Sequence, residues 1–296
     1  MSNKILFIGT IAALAALSSC KEKGPIIDYG GHTAKDSTYT ASVETPQARM
    51  VLVEEFTGAS CSNCPAARTV LTSLETQYPG RIASLSLHIF NFNQSNPWEG
   101  AKYDFRTQAA TDLGNTIYGG VIQMPVAGIN RLAVTNTTPE LFGKTQWPNV
   151  IGNYLDSVPS VNLTVTSTLN TSGDSAFITV KAAYTKAVST KNVLSIAITE
   201  SNLIDFQEDP AVVPDGVDSN YNFKSVLRDF VSTTLGSPVL DSLSTKQAGR
   251  VFTRSFLYKV NAAWKPENCK VVAFISNAET ADKRVLQVAE TDLKQP

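Results

Sequence analysis

Cys61 and Cys64 have two residues between them in Phe56-Thr57-Gly58-Ala59-Ser60-Cys61-Ser62-Asn63-Cys64-Pro65, after an apolar run and before a helical pattern. Thiols at this spacing exchange with other thiols and disulfides through the thiolate form. A helix start offers unpaired N–H groups and the positive end of the helix dipole, and both favour thiolate over thiol. Closed as a disulfide, the same pair is equally able to act as a loop staple. His88 ends a second apolar run. As an imidazolium near the pair it would lower a cysteine pKa, and otherwise it is a strand histidine held by hydrogen bonds. Cys269 reads either as a buried apolar filler or as a reactive thiol.

These residues need a scaffold, and two patterns supply it. Met50 to Phe56 reads as a buried strand. Ala67, Val70, Leu71, Leu74 and Tyr78 recur at helical spacing until Pro79-Gly80. Ile82 to Phe90 reads as a second strand, followed by a polar loop, a helix near 101–114, a short strand at 126–130 and a helix at 148–155. The order β-α-β-α-β-α implies an α/β layer fold. After Ser157-Val158-Pro159-Ser160 the pattern changes. Stretches at 161–169, 176–185, 193–199, 221–231, 250–260, 270–276 and 284–290 read as strands, which implies a β-sandwich of immunoglobulin-like or fibronectin-like type. Residues 201–220 read as an irregular insertion. Their acids, Asp205, Glu208, Asp209, Asp215 and Asp218, match no metal-loop spacing, so no metal is assigned.

The chain has 296 residues, 43% hydrophobic and 17% charged, with a formal net charge of −1. That is enough for two domains with real cores. No basic block points to nucleic acid, two histidines argue against a His-rich metal site, and no cofactor is expected. Lys4 and the apolar run Ile5 to Leu17 form a targeting segment too short to span a bilayer. It ends in Leu17-Ser18-Ser19-Cys20, which resembles a bacterial lipobox; an ordinary signal peptide is the alternative. Lipidation of Cys20 would tether a soluble body to its membrane. Export also allows Cys61 and Cys64 to persist as a disulfide. The expected layout is a signal peptide at 1–19, a lipidated tether at 20–48, an α/β domain at 49–157 and a β-sandwich at 160–296.

Residues 50–157 resemble the thioredoxin-like fold through Leu52-Val53-Glu54-Glu55-Phe56, the Cys61-x-x-Cys64 helix start and Met124-Pro125 before a later strand. The resemblance makes Cys61 the exposed nucleophile and Cys64 the resolving thiol. It makes Pro125 a cis proline that faces the pair and presents substrate. Glu55, six residues before Cys61, holds the place of a buried acid that relays a proton; the bland alternative is a strand-end glutamate facing solvent. Ser60 stands where a tryptophan is usual, and Ser62-Asn63 replaces the Gly-Pro of reducing members.

Nearly the whole chain resembles the Omp-twenty-eight-related outer-membrane lipoproteins of Bacteroidetes. The matching stretches are Glu54 to Gly58, the Cys-x-x-Cys-Pro, Val226 to Asp229, Trp264 to Phe274 and Val285 to Glu290. That resemblance implies a lipid-anchored protein of the outer membrane with no barrel, and a proposed adhesin or receptor role without a settled reaction. Two functions are therefore expected side by side. One is thiol–disulfide exchange on envelope proteins. The other is non-enzymatic binding of a surface partner, with the Cys61–Cys64 disulfide as a structural bridge. An open Cys61 sulfur beside a cis Pro125 would favour the first, and a covered pair the second.

Overall fold

The computed structural model describes residues 33–135 and 137–293. The expected signal peptide and Cys20 lie outside the described residues. The strands in the first half are β1 (Thr33–Thr40), β2 (Val51–Phe56), β3 (Ile82–Leu87), β4 (Val126–Ile129) and β5 (Leu141–Gly143). They are followed by β6 (Val161–Leu169), β7 (Ser175–Tyr184), β8 (Asn192–Glu200), β9 (Leu203–Glu208) and β10 (Val217–Phe223). The last are β11 (Val226–Phe230), β12 (Ser237–Val239), β13 (Arg250–Lys259), β14 (Cys269–Asn277) and β15 (Val285–Asp292). The helices are α1 (Cys64–Gln77), α2 (Gln108–Tyr118) and α3 (Trp147–Leu155). Strand is the dominant state, and none of the described helices is long and apolar enough to cross a membrane.

One nine-stranded sheet runs β15-β14-β8-β11-β3-β2-β4-β5, with β12 beside β8. Strands β2 and β3 pair in parallel, so the chain crosses over between them through α1. Every residue of both strands is buried, as expected where both faces of a sheet are covered. Val51, Val53, Ala127 and Ile129 face Leu71, Leu74, Trp147 and Ile151 of α1 and α3. Leu52, Phe56, Leu85 and Leu87 face Leu113 and Ile117 of α2. Each such side chain contributes about 1.5–3 kcal/mol by leaving water.

The other end of the sheet, β8-β14-β15, packs beneath a four-stranded antiparallel sheet of order β1-β13-β7-β6. Leu163, Val165, Ile178 and Phe256 meet Leu194, Ile196, Val271 and Ile275 in a dry apolar layer, a sandwich-like arrangement. The two halves share the large sheet. Strand β11 pairs in parallel with β3 at Val226–Ser86 and antiparallel with β8, so hydrogen bonding continues past the expected boundary near residue 158.

Three segments differ from their sequence reading. Residues 33–40, expected as tether, form edge strand β1 along β13. Their ladder partners rather than any apolar pattern hold them there. The helix expected from 101 begins at 108. Thr107 caps it by accepting the Ala110 N–H, and Thr107 N–H donates to the His88 carbonyl, which keeps the preceding residues extended. Residues 201–220, expected to be irregular, contain β9 and most of β10. These form an antiparallel hairpin outside both larger sheets.

Candidate functional site

Helix α1 starts at Cys64, with Pro65 in its first turn and no side-chain cap on its N–H groups. The Cys64 N–H donates to the Cys61 carbonyl at 3.0 Å, a tight turn that aims both side chains at one place. Cys61 and Cys64 are joined in a disulfide with an S–S distance of 2.05 Å. Both sulfurs belong to the apolar cluster that also holds Phe56, Leu87 and Met124. The Met124–Pro125 peptide is cis, and Pro125 is half-buried.

Cys61, assigned an exposed position by resemblance, has 0% of its surface exposed, and Cys64 has 2%. Two segments are bonded to the loop 57–61 that carries Cys61. The first is the turn at residues 93–96. Ser60 N–H donates to the Gln94 carbonyl, Ser60 Oγ to the Asn96 carbonyl, and Ser95 Oγ to the Thr57 carbonyl. Gly58 permits this approach, because a Cβ there would collide with the Gln94 carbonyl. The second is the β9–β10 hairpin. Gln207 Nε2 donates to the carbonyls of Gly58 at 3.2 Å and Cys61 at 3.1 Å, and Glu208 N–H donates to the Ala59 carbonyl at 2.8 Å. The Asp205 carboxylate accepts from the N–H groups of Lys102 and Tyr103, which ties the hairpin to the loop before α2.

Between the ends of β2 and β3, α1 and the hairpin lies a small polar cavity of about 10 Å³, lined by Glu55, Arg68, Ser86, His88, Gln207 and Tyr221 among others. A water needs about that much room. Glu55 is 1% exposed and points to the α1 face rather than to solvent. Arg68, one helical turn after Cys64, approaches it at 3.5 Å and is shared with Glu75 at 2.8 Å. Glu55 Oε1 and Arg68 Nε have no hydrogen-bond partner among the described residues. Burial pushes the Glu55 carboxyl above its ordinary range, and the Arg68 charge only partly offsets that. His88 is buried against Phe105 and Phe223, and burial lowers its pKa to about 4, so the ring is neutral.

The structure brings Cys61, Cys64, Glu55, His88 and the Met124–Pro125 loop to one end of β2 and β3. The aromatic residues that follow β3 divide. Phe105 packs with Phe223 and Val226 beneath the hairpin, while Phe90 is half-exposed under the Arg106 guanidinium. Cys269 stands apart. It is buried, its thiol is pushed up to about 12 by burial, and its Sγ donates to the Lys265 carbonyl. Arg228 pairs with Glu200 at 3.3 Å and stacks over Trp264, and Tyr258 donates to Asp229, so these residues clasp β11 to the sandwich. Gln207 and Arg68 were not singled out from the sequence, and Asp205 was read only among the acids of the insertion. Arg68 carries a signal in retrospect, since it falls on the buried stripe of α1 four residues after Cys64.

The described chain is mostly β, with an internal disulfide at a helix start. Residues 116–295 match the family described as Outer membrane protein Omp28, and the chain belongs to that family. Among solved structures, HBP35 of Porphyromonas gingivalis is similar at a TM-score of 0.64 and 15% identity, covering 86% of this chain and 78% of that one. Protein AGR_C_4864 from Agrobacterium tumefaciens is more distant, at a TM-score of 0.49 and 15% identity over 85% of this chain and 98% of that one. No curated protein matches the sequence.

Proposed function

We propose that this envelope protein is anchored in the outer membrane by lipid on Cys20 and carries out thiol–disulfide exchange on envelope proteins through Cys61 and Cys64. Residues 49–157 form its thioredoxin-like domain and residues 160–296 its β-sandwich. The sheet order β5-β4-β2-β3, with α1 crossing from β2 to β3 and α3 after β5, supports the first assignment. In this reading Cys61 exchanges with substrate, Cys64 resolves the mixed disulfide, Pro125 presents the substrate backbone, and Glu55 takes up the resolving thiol's proton.

The observation that carries the reading is the buried, incompletely partnered Glu55 on the strand that leads into the cysteine loop. A burial that costs stability and raises a carboxyl pKa is characteristic of working sites. A staple would not require it. A bridge between residues three apart also restrains the unfolded chain little, about 2 kcal/mol against about 3 for a fifteen-residue loop.

The test is dithiol-driven reduction of a disulfide-bonded reporter protein. Wild type should accelerate it and Cys61→Ser should not; equal rates would remove the reading. For the anchor, labelled palmitate should enter wild type but not Cys20→Ala. A second reading, a binding protein with a structural disulfide, is favoured by one observation, the covered Cys61 sulfur. It predicts no acceleration by any variant.

A further inference from the structure

The covered sulfur and the polar cavity conflict only if the cover is permanent, and the hairpin is built as a separable piece. Strands β9 and β10 pair with each other and with no strand of the larger sheets. An isolated two-stranded hairpin is marginal in water and depends on what it rests against. This one is rooted by Leu203 and Phe223, which pack with Phe105 and Val226. Ala59 of the cysteine loop packs at this root; beyond it the hold is polar, with Gln207 and Glu208 bonding the cysteine loop and Asp205 the loop before α2. Val213 at its tip is 85% exposed.

Both ends of the hairpin carry unusual backbone. Asn202, just before β9, has φ 58°, and Ser225, just after β10, has φ 52°. Left-handed conformation at a non-glycine residue is uncommon, and such positions concentrate at switch segments. The other cover, residues 93–96, is tied into the core through buried Ser95. Weakly held elements are the ones that open locally while the rest of a fold stays intact.

We propose that the β9–β10 hairpin is a cap on the Cys61–Cys64 disulfide, with Gln207 as the positioning residue that holds it shut. This rests on the exchange reading above. With the cap lifted, a thiolate of an incoming dithiol attacks the Cys61 sulfur. The Cys61–Cys64 bond breaks, and its electron pair leaves on Cys64, which is then protonated. The second thiolate of the dithiol attacks its own mixed sulfur, releases the Cys61 thiolate and leaves the dithiol as a disulfide. With the cap down, no sulfur surface is available to the attacking thiolate. Specificity follows: a partner that displaces the hairpin gains access, and a bystander thiol does not.

The experiment measures the rate at which dithiothreitol reduces the pair in the full chain, read by alkylation and mass. Wild type is compared with Gln207→Ala, Asp205→Asn and the remote control Glu290→Ala. Losing the Gln207 bonds to the Gly58 and Cys61 carbonyls should raise the rate about tenfold. Asp205→Asn, which keeps its shape, should raise it less and decides the matter if Gln207→Ala does not fold. Glu290→Ala should match wild type. Equal, fast reduction in wild type and both hairpin variants would overturn the cap and leave the exchange reading standing. Acceleration by Glu290→Ala to the same extent would also overturn the cap, since general loosening would then suffice. No reduction in any folded variant would overturn the exchange reading and the cap with it.

Discussion

Glu54 and Glu55 are neighbours on β2, both buried, and they lead opposite lives. Glu54 points to the α2 face. The Arg131 guanidinium clamps it with two bonds, at 2.7 and 3.0 Å, and the Tyr118 hydroxyl donates to it. Arg131 also lies over the Phe274 ring, 5.0 Å from its centre, which links this pair to β14. Gly128 makes the triad possible, because a Cβ there would collide with the Tyr118 hydroxyl. Glu55 points to the α1 face, where one oxygen lacks a hydrogen bond and the nearest cation is shared with Glu75. Identical side chains on consecutive residues thus separate a closed structural network from an open polar cavity. Satisfaction, not burial, distinguishes the two.

The comparison can be broken at several points. Glu54→Ala should have the largest effect, about 3–5 kcal/mol of stability by urea unfolding, because it strands the buried Arg131 charge. A loss below about 1 kcal/mol would make the two glutamates equivalent.

The pH dependence should arise on the Glu55 side. His88 has a folded pKa of about 4 against an ordinary 6.5, so its neutral burial stabilises fully above 6.5 and that contribution is lost as pH falls through about 4. The span is about 3 kcal/mol. Glu55 has the opposite sign: its raised pKa favours the fold at low pH, and the contribution fades as pH rises through the folded value. Stability curves of wild type and His88→Leu between these limits should differ by the His88 slope; superimposable curves would contradict it.

Glu55→Gln should change stability by only about 1 kcal/mol, since Glu55 Oε1 already lacks a hydrogen-bond partner among the described residues. It should slow exchange by about a hundredfold. A stability loss matching that of Glu54→Ala, with exchange intact, would reverse the assignment of roles. The smallest effect is expected at the solvent-washed pair Lys270–Glu290, where Glu290→Ala should stay within about 0.5 kcal/mol.

The sequence made the central elements legible for a physical reason. Strands β2 and β3 are continuous apolar runs, α1 repeats apolar residues at helical spacing, and β6, β7 and β13 alternate over 9 or 10 residues. The hairpin was hidden because its inward positions are Leu203, Asp205 and Gln207. The period of two is present, but polar residues occupy the buried side, so it does not register as a hydrophobic signal. Strand β1 was hidden similarly, since residues 34–40 are all exposed and the strand is held by ladder bonds. The shared sheet was out of reach because β11 joins β3 across more than a hundred residues through a single paired position. At the site, spacing marked Cys61 and Cys64, and the thioredoxin-like resemblance added Glu55 and Pro125 as expectations. Only the hairpin's position exposed the cover over them.

The central claim is that Cys61 and Cys64 form an exchanging pair. Its most direct test is to equilibrate the protein across glutathione and dithiothreitol couples, trap free thiols by alkylation and count them by mass. The account predicts a midpoint between about −120 and −270 mV, the range of proteins that exchange disulfides. A pair that stays oxidised below about −300 mV would contradict it and identify a structural bridge.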